Sequence, residues 1–354
     1  MHIAEGILPI TWAAANAAIA VPFIAKGVAE IRARAKKDPT IRPMIGLIGA
    51  AIFVISALPI PVPITGTSAH PTGVGLAAIL IGPFPTAAVT LVVLALQALF
   101  MAHGGLTSLG ANTLNMGVIG ALSGLAVFWL ARRLGLSAWI GAAAAGFVGD
   151  LSTYAGTALS MSLALHGDSP VWSVWSSIAL AFVPTQIPLA FLEAALTAGV
   201  LSYVASRRPD MIARLCVGSS GALGGSRSAA MRWGIAAAAI LLGLVVFSLL
   251  RGSQWEGVDV AVVGSFATQL GRPPSDPLLN IQGDFLLFAF AFGGAIGGFV
   301  LGYFWRGLGD RRSETENRVG ARFIAPSPGA ANVVATYSSA GSAESRPTEV
   351  GKPW

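Results

Sequence analysis

The chain alternates between long apolar blocks and short polar segments. Each block is about as long as the roughly 20 residues that a helix needs to cross a bilayer. The blocks, which we expect to be membrane-spanning helices, cover residues 9–25, 43–60, 86–102, 114–131, 138–164, 177–203, 233–250 and 285–305. The pattern predicts an all-α fold, a polytopic membrane helical bundle.

One further apolar stretch, residues 73–84, is too short to span a membrane as a straight helix. Glycine and two prolines end it at Gly82, Pro83 and Pro85. Irregular backbone at membrane depth is tolerated only where it is buried in protein or lines a cavity. The stretch is therefore predicted to be a short helix or a re-entrant segment inside the bundle.

Basic residues between the blocks predict the orientation. Six Lys and Arg residues lie between residues 26 and 42, whereas loop 61–72 has none. Loops rich in Lys and Arg stay on the cytoplasmic side. If residues 73–102 enter the membrane and return, the later basic clusters also fall inside. The prediction is seven helices up to residue 206 and two more after it, with the N-terminus extracytoplasmic and the C-terminus cytoplasmic, in a bacterial inner membrane.

Composition excludes a soluble domain. Hydrophobic residues make up 54% and charged residues 11% of the chain, with a mean hydropathy of +0.71, against about 25% charged residues in soluble domains. The net charge of +6 sits in loops, so we expect membrane lipid and no nucleic acid as a partner. Cys216 is the single cysteine, which excludes an intrachain disulfide and a cysteine-based metal cluster. No basic segment precedes the first apolar block, so we expect no cleaved signal peptide.

The same pattern divides the chain into four parts. Residues 1–206 form the predicted membrane domain, and residues 207–230 a Gly-, Ser- and Arg-containing cytoplasmic linker. Residues 231–308 form a two-span unit. Residues 309–354 are rich in Ser, Gly, Ala and Glu without an apolar period, which predicts a disordered cytoplasmic tail.

The four histidines, His2, His70, His103 and His166, all fall on the predicted outer side. Polar loops collect histidine, so this clustering alone does not indicate a site. His2 strengthens the case for a site. Removal of the first methionine generally needs a small second residue, and His is large, so Met1 is expected to be retained. The α-amine of Met1, the amide nitrogen of His2 and its ring nitrogen can close two fused chelate rings on one ion, and His70 can fill the remaining in-plane position. The alternative is that His2 is incidental.

Nitrogen ligands in a plane suit Ni(II) and Cu(II), and are compatible with Co(II). They do not suit Mg²⁺ or Ca²⁺, which prefer oxygen, and they lack the tetrahedral arrangement of structural zinc. Binding is expected to release protons, because the amine, the amide and the imidazole must each lose theirs.

Five stretches resemble the CbiM/NikM family, the substrate-capture subunits of energy-coupling-factor (ECF) transporters for cobalt and nickel. They are residues 1–9 (MHIAEGILP), 66–83 (GTSAHPTGVGLAAILIGP), 102–117 (AHGGLTSLGANTLNMG), 146–154 (GFVGDLSTY) and 183–193 (VPTQIPLAFLE). The resemblance covers roughly residues 1–205. Ala4 and Ile7 depart from the family's pattern after His-Ile, and Glu5 leans toward its cobalt type.

The resemblance implies Met1, His2 and His70 as ligands of a transported Co(II) or Ni(II) ion, without a cofactor. His103 is expected to line the site or its entry, or to pack the loop, and Asn112 and Asn115 to support the ligands or the backbone. The implied partners are a CbiQ/NikQ-like coupling protein and CbiO/NikO-like ATPases of the ABC type. The chain has no P-loop pattern of its own, so we expect no enzymatic activity.

Residues 231–305 resemble the two-span accessory subunit CbiN or NikN, through residues 287–303 (LFAFAFGGAIGGFVLGY). Two alternatives remain open for the whole chain. One is an ECF subunit that captures a small vitamin. The other is an intramembrane hydrolase, which would lack the H-E-x-x-H and G-x-S-x-G motifs. Three polar residues lie within or near the predicted spans and are interpreted as hydrogen-bonding groups between helices: Asp150, Gln186 and Glu193.

Overall fold

A computed structural model describes residues 2–57, 60–62, 67–101, 103–215, 227–251, 256–257, 259–276, 288–289, 292–300 and 303. Residues Met1–Phe304 form one compact unit. The predicted tail, residues 309–354, lies outside the described residues. So do Met1 and residues 216–226 of the predicted linker, whereas its residues Pro209–Leu215 form a helix and its residues 227–230 begin another.

The described chain is a bundle of helices, which confirms the predicted fold class. In chain order they are α1 (Ile10–Lys37), α2 (Ile41–Ala57), α3 (Val74–Ile81), α4 (Pro83–Phe100), α5 (Leu109–Asn112), α6 (Ala121–Arg133), α7 (Ala138–Leu165), α8 (Val171–Arg207), α9 (Pro209–Leu215), α10 (Arg227–Arg251) and α11 (Ser265–Gln269). Wider π-helical turns join α5 to α6 at Thr113–Gly120 and precede α11 at Asp259–Gly264.

Five of these helical segments are long and apolar enough to cross a membrane: α1, α4, the continuous segment Leu109–Arg133, α8 and α10. The shorter α2 is also apolar. Large apolar side chains such as Leu130, Leu180 and Leu242 are exposed on the outside of the bundle, as expected of surfaces that face lipid. The chain therefore spans a membrane, while the number of crossings stays a prediction.

The short apolar stretch folds as α3, a short helix inside the bundle as predicted. Gly73 precedes it with φ of +70° and Gly82 follows it with φ of +91°, so glycine supplies the left-handed turn at each end. All eight of its residues are buried. The Arg34 side chain donates a hydrogen bond to the carbonyl of Ile81 at 2.9 Å, which satisfies one of the last carbonyls of α3.

Small residues let the helices approach closely around α7. A side chain at Gly75 of α3 would meet the carbonyl of Ala145 at 2.7 Å, and one at Gly146 would meet the carbonyl of Glu193 in α8 at 2.7 Å. Close approach through small residues is typical of helix packing in membranes. The result is a tight three-helix contact of α3, α7 and α8 beneath the loop that precedes α3.

A small three-stranded sheet, not predicted from the sequence, contacts α8 and α10. Strand β1 (Ile60–Val62) pairs antiparallel with β2 (Thr67–Ala69), and β3 (Glu256–Gly257) pairs parallel with β2. Residues from the predicted two-span unit therefore join the strand that leads to His70. That unit also packs on the core through α10, where the Trp233 ring lies 5.8 Å from the Trp139 ring.

Candidate metal site

The first described residues are buried although they lie near the chain terminus. His2 is 1% exposed, and Ile3 and Ile7 are fully buried in the core cluster formed with α7 and α8. Gly6 turns the chain with φ of +76° before α1 begins at Ile10. Burial of the apolar side chains at positions 3 and 7 thus draws the segment, and His2 with it, into the protein.

Polar contacts fix this segment at Ile3. The Ile3 N–H donates to Asn112 Oδ1 at 2.8 Å, and Asn112 Nδ2 donates to the Ile3 carbonyl at 3.0 Å. The Ser108 hydroxyl donates to the same carbonyl. A side-chain amide that pairs with both backbone groups of one residue holds it as a neighbouring strand would. Asn112 therefore acts on the N-terminal segment, and Ser108 is a contact that the sequence did not single out.

The loop before α5 encloses the segment from the other side. The Glu5 carboxylate accepts hydrogen bonds from the N–H groups of Leu106, at 2.6 Å, and Thr107, at 3.3 Å. A side chain at Gly104 would meet Cβ of His2 at 3.0 Å, and one at Gly105 would meet the Glu5 nitrogen at 2.7 Å. Both glycines are needed because the two backbones lie too close for a side chain.

Residues of the predicted two-span unit, 231–308, also contact the segment. The Ser275 N–H donates to the Glu5 carbonyl at 3.0 Å, and the Arg272 guanidinium donates to the Gly6 carbonyl at 3.4 Å. The segment around His2 is thus bounded by α5, by the loop before it and by residues that follow α11.

His70 lies in the loop between β2 and α3 and is 4% exposed. Its Nδ1 lies 3.2 Å from the carbonyl oxygen of Pro71. A proton on Nδ1 that is donated to this carbonyl leaves the lone pair on Nε2. A hydrogen bond from one ring nitrogen is the usual way in which a protein orients the other nitrogen toward a metal ion.

His2, His70 and His103 come together as the one cluster of potential metal ligands among the described residues. One ring nitrogen from each lies within 4.8 Å of the others. The Nε2 atoms of His70 and His103 are 3.0 Å apart. Two nitrogens at adjacent positions of an ion with bonds of about 2.0–2.1 Å are about 3 Å apart, so this spacing fits shared coordination as well as a hydrogen bond.

Burial favours neutral rings at this cluster. Removal from water lowers the pKa of His2 and of His70 well below the usual range, and the positive charge of neighbouring groups, including His103, lowers both further. Metal ions bind the neutral imidazole. The cluster therefore presents lone pairs at pH values where an exposed histidine would be partly protonated. Imidazole nitrogens suit transition metals such as Co(II), Ni(II), Cu(II) and Zn(II).

Two other sequence candidates lie apart from these contacts. Asn115 Oδ1 lies 3.1 Å from the Ser160 hydroxyl, which also contacts Asn16 of α1 at 3.1 Å, so Asn115 belongs to a polar contact between helices. His166 follows α7, where its Nδ1 lies 3.1 Å from the Ser169 carbonyl at the surface. The sequence analysis did not single out Gln97 of α4, a buried residue that contributes to the environment of His2. A glutamine within an apolar span is a signal that could have indicated it.

Comparison with known proteins identifies the family. The sequence profile of CbiM, described as the cobalt uptake substrate-specific transmembrane region, matches residues 2–211. The chain belongs to the CbiM family. The predicted resemblance is thereby confirmed, and the chain is a substrate-specific transmembrane component of a cobalt uptake system.

Two CbiM relatives differ in how much of this chain they match. The cobalt transport protein CbiM of Geobacter sulfurreducens is 45% identical over 310 residues, which cover 87% of this chain and 90% of that protein. The cobalt transport protein CbiM of Sorangium cellulosum is 51% identical over 217 residues, 61% of this chain and 96% of that protein. A crystal structure of a truncated transition metal transporter has 26% identity and a TM-score of 0.51, covering 58% of this chain and 99% of that one.

Proposed function

We propose that the chain captures Co(II), or alternatively Ni(II), as the substrate-specific subunit of an ECF-type transporter. The ligands are the α-amine of Met1, the amide and ring nitrogens of His2, and the ring nitrogen of His70. The observation that supports this is the convergence of three imidazoles, those of His2, His70 and His103, with ligand atoms within 4.8 Å of one another; the rings of His2 and His70 are buried. Its partners are a CbiQ/NikQ-like coupling protein and CbiO/NikO-like ATPases, which supply the energy.

Substitution of the two histidines tests the ligand set. His2→Ala and His70→Ala each remove one nitrogen, and in a site held by few ligands each is expected to abolish high-affinity cobalt binding. The measurement is calorimetry on purified protein with a native N-terminus. Wild-type affinity in both variants would overturn the site. A protein that retains no metal but binds a vitamin, or that hydrolyses peptides, would favour one of the two alternatives.

A comparison of N-terminal and C-terminal tags tests whether the α-amine of Met1 is a ligand. An extra residue ahead of Met1 converts the amine to an amide nitrogen, which has no free lone pair in its neutral form, while the His2 ring is unchanged. Cobalt retention is expected to be lost with an N-terminal tag and kept with a C-terminal tag. Equal retention, with the N-terminal residue of each protein verified by mass spectrometry, would remove the amine from the ligand set and leave the imidazoles.

We infer a role for residues 231–308 in loading the site, as a CbiN/NikN-like accessory unit. The contacts of Ser275 with Glu5 and of Arg272 with Gly6 support this. A chain shortened to residues 1–230 keeps all proposed ligands, and relatives of that size exist, since a 217-residue match covers 96% of one. It is expected to bind cobalt when purified but to take it up more slowly in cells. Full uptake would exclude the accessory role.

A further inference from the structure

The loop that carries His70 is anchored at both ends. On one side, Ala69 pairs with Ile60 in the small sheet. On the other side, Glu193 of α8 accepts three hydrogen bonds from two consecutive residues. The Thr72 N–H donates to Glu193 Oε2 at 2.6 Å, the Thr72 hydroxyl to Oε1 at 2.6 Å, and the Gly73 N–H to Oε1 at 2.8 Å.

The Glu193 carboxylate satisfies backbone donors just ahead of α3, including the N–H of Gly73 at the cap position of this helix. The first N–H groups of a helix have no partner within the helix, and Gly73, at the cap position, offers no side chain. A carboxylate at this end also matches the helix dipole. Both Glu193 and Thr72 are shielded from water, at 1% and 0% exposed, so solvent does not compete for these hydrogen bonds.

The position of Glu193 is itself set by helix packing. Gly146 of α7 lies against the backbone of α8 at this residue, where an added Cβ would meet the Glu193 carbonyl at 2.7 Å. The α7–α8 contact thus places the carboxylate, the carboxylate places Thr72, and Thr72 is two residues from His70. Glu193 itself is not among the clustered metal-ligating residues.

We propose that Glu193 is the positioning residue for the His70 ligand, acting through Thr72 and Gly73. The inference rests on the proposed function, because it presumes that His70 binds the transported ion. One residue of chain covers about 3.3–3.6 Å, whereas metal–ligand distances tolerate roughly 0.2 Å. If the anchor is lost, a shift of the loop by a small fraction of one residue's length is therefore expected to weaken the bond of the His70 ring to the ion.

Glu193→Gln tests the anchor with little change in volume. In one orientation the Gln amide NH₂ faces the Thr72 N–H, and in the other it faces the Gly73 N–H, so one backbone bond is lost either way. We expect cobalt affinity to fall about 10–100-fold, as is typical when a residue that supports a ligand is changed. The visible absorption spectrum of the Co(II) that still binds is expected to differ from that of the wild type, because the His70 nitrogen moves away from the ion.

Thr72 provides a matched pair on the other side of the contact. Thr72→Ser keeps the hydroxyl and is expected to bind as wild type does. Thr72→Val keeps the shape but loses the hydroxyl bond to Oε1, and is expected to weaken binding severalfold with the same spectral shift. Thr157→Val, which removes a buried hydroxyl bound to the Thr153 carbonyl within α7, controls for the loss of any buried hydrogen bond and should leave the spectrum unchanged.

The outcomes separate this inference from the proposed function. If wild-type protein binds no cobalt, or His70→Ala binds normally, the proposed function fails and the inference with it. If His70→Ala loses binding while Thr72→Val and folded Glu193→Gln keep wild-type affinity and spectrum, only the positioning role is overturned. If Glu193→Gln does not fold, the Thr72 variants test the positioning role. Weaker binding by Thr72→Val than by Thr72→Ser supports it, and equal binding overturns it.

Discussion

His103 is the residue whose place the sequence defined least. It was expected to line the site or to pack the loop, yet its Nε2 lies 3.0 Å from that of His70. If Met1, His2 and His70 supply the four nitrogens proposed for the site, His103 would be a further ligand. Since the ring of His2 is also within 4.5 Å of the His103 ring, centroid to centroid, all three side chains face one point.

The first prediction is that His103 contributes to binding. His103→Gln removes an imidazole from the cluster and keeps a polar side chain, and we expect cobalt affinity to fall at least tenfold, within the range of about 10–100-fold seen for groups around a metal site. Calorimetry measures this. His166→Gln, at the surface, is the control and should bind normally. Equal affinities in the two variants would assign His103 to loop packing.

The second prediction concerns Gly104. Alanine there must adopt a φ of +81° and also approach Cβ of His2 at 3.0 Å. Gly135→Ala is the matched control, because Gly135 has φ of +77° and nothing within 4 Å of an added Cβ. Both variants are expected to lose about 1–2 kcal/mol of stability from the left-handed backbone. Only Gly104→Ala should also lose cobalt affinity; equal binding losses would mean that contact with His2 is unimportant.

At the scale of elements, one helical segment carries two asparagines with different roles. Asn112 pairs with both backbone groups of Ile3, whereas Asn115, one turn later, contacts Ser160. The wider π-helical turns begin between them, at Thr113. From the sequence, both residues were expected to support the ligands or the backbone; of the two, Asn112 contacts the segment that carries His2.

The third prediction follows from this difference. Asn112→Ala and Asn115→Ala each remove a buried amide, and a buried group left without its partner costs about 1–3 kcal/mol. Thermal unfolding should therefore show a similar loss of stability in both. Cobalt affinity is expected to fall at least tenfold in Asn112→Ala alone, since Ile3 and the adjacent His2 are released. Normal binding by Asn112→Ala would show that burial of Ile3 and Ile7 suffices to hold the segment.

The apolar pattern predicted the spans well because burial in lipid is recorded in local composition. The block at 114–131, for example, lies within the continuous helical segment Leu109–Arg133, which is long and apolar enough to cross a membrane. In contrast, α1 runs to Lys37 although its block ends at 25, because hydropathy detects only the part of a helix inside the membrane. The sheet was not predictable, since its strands are two or three residues long and β3 lies far along the chain from β2.

The site was predictable only where chemistry is local. The amine, amide and ring of residues 1 and 2 are adjacent in sequence, so their chelation can be inferred without a fold. The contribution of His103 and the anchoring by Ser108 and Glu193 depend on which loops meet, and the sequence does not record this. The prediction that His70 joins His2 had two sources. One was the family resemblance, and the other was the in-plane position that the nitrogens of residues 1 and 2 leave open.

At the scale of the whole molecule, the proposed site is bounded by distant parts of the chain. Residues 2–6 form hydrogen bonds with the loop before α5 and with residues 272–275, and the His2 ring lies 5.0 Å from the ring of His70 in the loop before α3. The two-span unit, residues 231–308, contributes strand β3 to the sheet that leads to His70. The arrangement of the proposed site and the packing of the two-span unit against it are therefore expected to depend on each other.

The last prediction concerns the side of the membrane on which this site opens. It rests on the distribution of Lys and Arg, because charge bias in loops sets orientation. The loop at residues 166–170 is expected outside, on the same side as the histidine cluster, and the loop at residues 134–137 inside, next to Arg132 and Arg133. Asp168 and Gly135 are exposed in these loops, so a cysteine at either position is accessible to a reagent.

Single cysteines at the two positions, in a Cys216→Ser background, are treated in intact cells with a membrane-impermeant maleimide. We expect labelling at position 168 in intact cells and at position 135 only after the membrane is opened. A cysteine in place of Ala158, which is fully buried in α7, controls for unspecific reaction and should remain unlabelled in both conditions. Labelling of position 135 alone in intact cells would invert the orientation, so that the proposed ligands would face the cytoplasm and the chain could not capture an ion from outside.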